Sequence, residues 1–220
     1  SFVIPSSVSH LGKCALAKCK EMDSVFIPKN TKLKTLPENF LHGSSIKRIL
    51  IPAKITKIEK YAFAKCKNIQ SIDFSNNSQI KTICKKAFFK SNIESISIPS
   101  SIEKIESGWC NEMPNLIHFS IIPNLSSQNI KIYENQFIIG KSNLKSQDFD
   151  ILLLARKNLV DAVIPSFIKK IDSGSFQGCS KLRSIQFEKN SQLEVIDKFA
   201  FSESNIKTIE NSLTMNEDSN

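Results

Sequence analysis

IPSSIEKIESGWC, residues 98–110, is written again sixty-six residues later as IPSFIKKIDSGSF, residues 164–176. The same pattern opens the chain as IPSSVSHLGKCAL at Ile4 and recurs as IPAKITKIEKYAF at Ile51. Four copies spread over a chain of this length are bricks of one wall rather than a motif used twice. The Ile-Pro dipeptide marks the period, at Ile4, Ile27, Ile51, Ile98 and Ile164, with Phe74 and Phe187 filling the slot without the proline. The steps run 23, 24, 23 and 24 residues from Ile4 to Ile98. A fixed period of about 20–50 residues signals a solenoid, propeller or array.

Two brick types alternate. The short brick is IPAKITKIEKYAFAKCKNIQSIDF, residues 51–74. The long brick is FSNNSQIKTICKKAFFKSNIESISI, residues 74–98, with relatives at 27–51 and 187–211. In each brick the last apolar positions alternate with polar ones, as in Ser71-Ile72-Asp73-Phe74. That is the period-2 signature of a short strand with one buried face. The pair Ile55 and Ile58, followed by Ala62-Phe63, reads as a return segment around a core too small for a long helix. No brick buries its apolar face alone, so neighbours must share an interior. The proline after each strand stands where a missing N–H does little harm.

The pattern L-x-x-I-x-F-x-x-N-S-x-I-x-x-I-x-x-x-A-F resembles a leucine-rich repeat. Asn30, Asn77 and Asn190 fall where such repeats carry a ladder of asparagines. The endings Ala62-Phe63-Ala64-Lys65-Cys66 and Ser175-Phe176-Gln177-Gly178-Cys179, with the I-P-S-S opening, are closest to the BspA-like (Treponema pallidum-type) subclass. The resemblance implies an α/β repeat solenoid, a right-handed curved superhelix with short parallel strands on its concave side. Loops or short helices would make the returns. It also implies surface-exposed or secreted proteins of bacteria and parasitic protists that adhere to host or matrix proteins, with a protein or glycan as partner. Fold likeness alone carries function only by analogy.

The organisation expected is repeats over 1–121, an irregular repeat or hairpin insert over 122–163, repeats over 164–211 and a polar tail over 212–220. In the insert, the apolar runs Phe137–Ile139 and Ile151–Leu154 flank a polar connector. That reads as a β-hairpin or a degenerate repeat.

Composition narrows the function classes. The chain has 220 residues, a net charge of +9, and 15 Phe against two Tyr and one Trp. Phe lacks a polar handle and suits core filling. No apolar run reaches the roughly 18 residues that a membrane helix needs. The first residues show no signal peptide, and the chain starts inside its own pattern, as an excised piece would. Cys19, Cys66 and Cys179 share a slot that elsewhere holds Ser91, Ser204 or Met113, which marks a small packing position. The six cysteines therefore read as reduced thiols, compatible with a cytoplasmic protein as well. No metal ligand set, cofactor motif or catalytic constellation is legible, so the expectation is a binding protein rather than an enzyme.

Partner contact is expected on the strand residues that face away from the core. One column runs Ser24, Arg48, Ser71, Ser95, His118, Asp161, Ser184, Thr208; the next runs Phe26, Leu50, Asp73, Ser97, Ser120, Val163, Gln186, Glu210. The candidate contact residues are Phe26, Arg48, Leu50, Asp73, His118, Asp161, Gln186 and Glu210. Phe26 and Leu50 with Arg48 form an apolar-plus-cation spot of the kind that anchors interfaces, unless a preceding repeat missing from this sequence covers Phe26. Lys34, Lys57, Lys81, Lys104, Lys169 and Lys170 precede the return-segment Ile or Leu and would stack into a basic stripe, read as a solvated flank or as a contact for an acidic partner. Nucleic acid is disfavoured because arginine and exposed Tyr or Trp are missing from that stripe. Asn76 and Asn124 match the glycosylation pattern. An intracellular scaffold for protein–protein interaction is the alternative function.

Overall fold

A computed structural model describes residues 1–123 and 128–211. The tail over 212–220 and the acceptor at Asn124 lie outside the described residues. The chain winds as a β-solenoid with three kinds of ladder running along its length. Among the described residues the first is made of nine strands of two to five residues, one per turn, in parallel sheets of two, four and three strands. A bridge from Ser24 to Arg48 joins the first two of these sheets. The second ladder is made of two-residue strands in the returns, where Thr35 pairs with Lys57, Lys57 with Thr82 and Thr82 with Lys104, all parallel. The third runs through the turns, whose amides donate to the next turn's carbonyls: Leu41 N to Ala62 O at 2.7 Å, Phe63 N to Ala87 O at 2.8 Å, Phe88 N to Trp109 O at 3.1 Å.

No helix occurs among the described residues, so the α/β expectation is corrected to an all-β solenoid, and of the loop or short-helical returns expected it is loops and two-residue strands that make them. The physical reason is in the backbone. Left-handed residues recur in pairs four apart, such as Asn39 with Gly43, Tyr61 with Lys65, Lys86 with Lys90, and Gly174 with Gly178. A left-handed residue every fourth position breaks any α-helix before it closes a second turn. The same geometry points amides and carbonyls along the stack, where the neighbouring turn satisfies them.

The rings of the Ala-Phe slot fill the interior. Phe40 meets Phe63 edge-on at 6.4 Å, Phe63 stacks on Phe88 at 5.6 Å, and Phe88 meets Trp109 at 5.7 Å. Phe176, the counterpart of Phe63 in the later array, is equally buried and packs on Phe201 at 5.0 Å. Each Ile-Pro corner closes a turn in which the proline carbonyl accepts from the amide three residues on, as in Pro28 to Thr31 and Pro52 to Ile55.

The asparagine ladder expected at Asn30, Asn77 and Asn190 is not there; all three are exposed. The next residue does that work. Thr31 and Ser78 are buried, and their hydroxyls accept from Leu33 N at 3.1 Å and Ile80 N at 3.3 Å. Ser191 does the same for Leu193 N at 3.4 Å. A one-carbon hydroxyl reaches its own backbone two residues ahead, and a tight corner has no room for a buried amide. Ser78→Ala should therefore cost about 1–2 kcal/mol by orphaning the Ile80 amide, and Asn77→Ala under about 0.5 kcal/mol, in urea unfolding. Equal losses would restore the asparagine.

Between Ile122 and Asp161 the pattern gives way to an antiparallel meander, Ile130–Tyr133, Phe137–Gly140 and Ile151–Ala155. The last of these strands pairs in parallel with Lys170–Ile171 and so extends the second ladder sideways. The hairpin is a wall between two cores. Ile138, Leu153 and Leu154 face the interior built from residues 4–119, and Phe137, Ile139, Leu152 and Ala155 face the interior built from residues 162–206. Burial on both faces accounts for the unbroken apolar runs, which a strand with one wet face would not carry.

Candidate functional site

The nine-strand face carries the side chains that alternate away from the core. Within each sheet the register sets members of the two columns side by side: Arg48 beside Ser71, Leu50 beside Asp73, His118 beside Ser95, Asp161 beside Ser184 and Gln186 beside Glu210. Extending the Ser24–Arg48 bridge by two residues sets Phe26 next to Leu50. Phe26 is 56% exposed and Leu50 48%. The preceding strand, Phe2–Val3, does not cover Phe26. It pairs Val3 with it, and Val3 is itself 60% exposed. Val3, Phe26 and Leu50 thus stand on consecutive strands, about 5 Å apart, as one apolar row. Arg48 flanks the row, exposed and without an ion pair among the described residues. Val3 is the member that sequence spacing missed, because its strand, Phe2–Val3, has only two residues and shows no alternation.

The eight candidate residues do not form one site. Phe26, Arg48, Leu50 and Asp73 gather on adjoining strands near the amino end, and His118 lies three strands from Arg48. Asp161, Gln186 and Glu210 are on the later array, beyond the hairpin. There the polar groups bind one another: the Gln186 amide donates to Glu210 Oε2 at 2.9 Å and the Ser184 hydroxyl to Asp161. Ser97 and Ser120 are likewise 2.7 Å apart. Mutually satisfied surface groups offer a partner less than an exposed apolar row does.

The basic stripe is not a free cationic surface. In the two-residue strands Lys57 and Lys104 alternate with threonine rather than stacking on lysine. Acids answer most of the stripe: Lys57 to Glu59 at 3.3 Å, Lys81 to Glu103 at 2.9 Å, Lys104 to Glu106 at 3.5 Å, and Lys170 to Asp172 at 2.9 Å and Asp197 at 3.2 Å. A donated bond from the Lys85 amide holds the Glu106 carboxyl below its ordinary range, which keeps it charged for this task.

All six cysteines are free thiols. Burial pushes the Cys66 thiol up to about 11 and the Cys110 thiol up to about 12, so both stay neutral at ordinary pH. Cys66 donates to Leu41 O at 3.0 Å, and its sulfur lies 3.7 Å from the Ser44 hydroxyl in the neighbouring copy of the slot. Asn76 is exposed.

Ladders of strand, return and turn that repeat every 23 or 24 residues define a solenoid of the leucine-rich-repeat class. The chain belongs to the BspA type leucine-rich repeat region family, whose pattern matches residues 1–117, 34–152 and 153–218 in six copies. Among solved structures, the pneumococcal vaccine antigen PcpA is similar in fold, with a TM-score of 0.81 at 22% identity over 96% of this chain. A leucine-rich cell surface protein from Faecalibacterium prausnitzii A2-165 follows at 0.70, 17% identity and 94% of this chain. A leucine-rich repeat protein from Eubacterium ventriosum gives 0.61, 19% identity and 82%. The chain spans 50%, 59% and 51% of those three chains. No curated protein matches the sequence.

Proposed function

We propose that this chain is a non-catalytic binding module, displayed at a cell surface or secreted, that holds a protein through the amino-terminal part of its nine-strand face. The observation that carries the reading is the row Val3, Phe26 and Leu50 with Arg48 at its flank. Three large apolar side chains at 48–60% exposure on a rigid parallel sheet are costly to leave in water and well placed to be covered. Arginine beside exposed aliphatic and aromatic groups is the composition that interface anchors favour. The cell-surface setting draws support from the name of the Faecalibacterium relative.

Binding of the purified chain to host cells and to immobilised matrix proteins tests the site. Phe26→Ala with Leu50→Ala should weaken binding by about 2–4 kcal/mol, as loss of a buried anchor does, with circular dichroism unchanged. Gln186→Ala on the later array should change it by under about 0.5 kcal/mol. Equal binding by all variants rejects the row. The free thiols favour a second reading, an intracellular scaffold, because a reducing compartment keeps such thiols unpaired. Biotinylation of intact cells separates the two: labelling supports surface display, and protection supports the scaffold.

A further inference from the structure

The turn side of the amino-terminal array carries a second, chemically different surface. A cleft of about 470 Å³ opens there, across three successive turns. Lys18 and Lys20 form one wall and Lys65 and Lys67 the other, two turns away, which places the walls about 10 Å apart. The turn between them contributes Gly43, Ser44 and Ser45 as a floor. No carboxylate among the described residues lines the cleft. None of the four lysines has an ion pair among the described residues, in contrast to the lysines of the return strands. His42 lines one end; its Nδ1 is buried and has no hydrogen-bond partner among the described residues. Four unanswered ammonium groups around a polar trough repel one another, and an anion relieves that repulsion.

We propose that this groove binds a linear sulfated polysaccharide, with sulfate groups on the two lysine walls and sugar hydroxyls against the Gly43–Ser45 floor. Lysine meets sulfate as a mobile point charge and needs no planar fork. Gly43 has no side chain and lets a sugar ring approach the backbone. A nucleic acid is the poorer fit, because it favours arginine and free ring faces. The rings beside the groove are occupied: His42 packs on Tyr61 at 6.5 Å, Tyr61 on Phe89 at 6.2 Å, and Lys86 covers both Tyr61 and Phe89 at 5.8 and 5.0 Å. An anionic bilayer would want an apolar wedge, and no large exposed apolar side chain lines the cleft.

Calorimetric titration of the full chain with a size-defined heparin oligosaccharide tests the assignment. Lys20→Ser with Lys67→Ser should weaken binding roughly tenfold or more, because each removes a charge-assisted contact. Lys34→Ser with Lys169→Ser removes the same net charge elsewhere and should cost under about threefold. The Phe26→Ala variant should bind the oligosaccharide as the parent does, which keeps this groove separate from the strand-face site. His42 supplies a second readout. Its proton affinity is held below the ordinary value by burial first and then by Lys65, Lys18 and Lys20. A seated sulfate offsets those lysines, so the imidazole titration followed by NMR should move up on adding the oligosaccharide. Equal loss in both lysine pairs would reduce the effect to general charge attraction and overturn the site. So would tighter binding of a single-stranded oligonucleotide with the same dependence on Lys20 and Lys67, or a His42 titration unmoved at saturation.

Discussion

Phe63→Ala is expected to destabilise the solenoid by about 3–5 kcal/mol, the cost of emptying a fully buried aromatic site. Phe63 has no exposed surface, and its ring touches Phe88 on one side and Phe40 on the other. In an array where each turn contacts only its neighbours, one truncation weakens two interfaces at once. Phe89→Ala, whose half-buried ring lies outside the interior, should cost about 1 kcal/mol or less. Urea unfolding followed by circular dichroism measures both. Equal losses would mean that the Ala-Phe slot does not line a shared interior.

Gly174→Ala should be of similar size for a different reason. Gly174 has φ +70°, and a Cβ built there would come 2.2 Å from Asn111 Oδ1. Asn111 belongs to the last regular turn before the hairpin and Gly174 to the first after it. Ser107 also bonds Asp197 at 3.1 Å, and the Glu112 amide bonds Gln177 at 3.1 Å. The two arrays therefore abut directly here, with the hairpin wall beside them. Left-handed backbone with a Cβ plus overpacking should cost about 2–5 kcal/mol. Gly12→Ala, which meets nothing within 4 Å and has ordinary φ, should stay within about 0.5 kcal/mol. If Gly174→Ala unfolds at the same urea concentration as Gly12→Ala, the close approach at the junction is not there.

The repeat and its strand columns were legible because one period-2 stretch per brick, ended by Ile-Pro, fixes both register and facing. Arg48 beside Ser71 and Leu50 beside Asp73 follow from spacing alone. The returns were not legible in the same way. A turn residue at positive φ is ordinarily glycine or asparagine, yet here Tyr61, Lys65, Lys86 and Lys90 adopt it. The amides of Lys65, Lys86 and Lys90 donate from there to the carbonyls of Phe89, Gly108 and Asn111 in the next turn, a tertiary effect that no local propensity reports. The buried partner of the corner was assigned to Asn77 because leucine-rich repeats use asparagine, while the adjacent Ser78 carries the bond. The hairpin announced itself as two apolar runs, the mark of strands buried on both faces, but an apolar run does not say which interior each face meets, so its place as a wall between two cores is set by tertiary packing. The acids opposite Lys57, Lys81 and Lys104 are two to 22 residues away along the chain, and only the return ladder shows that they meet. The groove walls, Lys18 with Lys20 and Lys65 with Lys67, recur one double period apart; reading short bricks against short bricks would have found them.

Amide hydrogen exchange at Leu41, Phe63, Phe88 and Phe176 tests most directly whether turns are held by their neighbours. Each of these amides donates to a carbonyl 21 to 24 residues further along the chain. The stacked solenoid predicts slow exchange at all four, released only when the array itself opens. Fast exchange at Phe63 and Phe88 while the strand Ser71–Phe74 stays protected would show turns that do not pair, and would contradict the account.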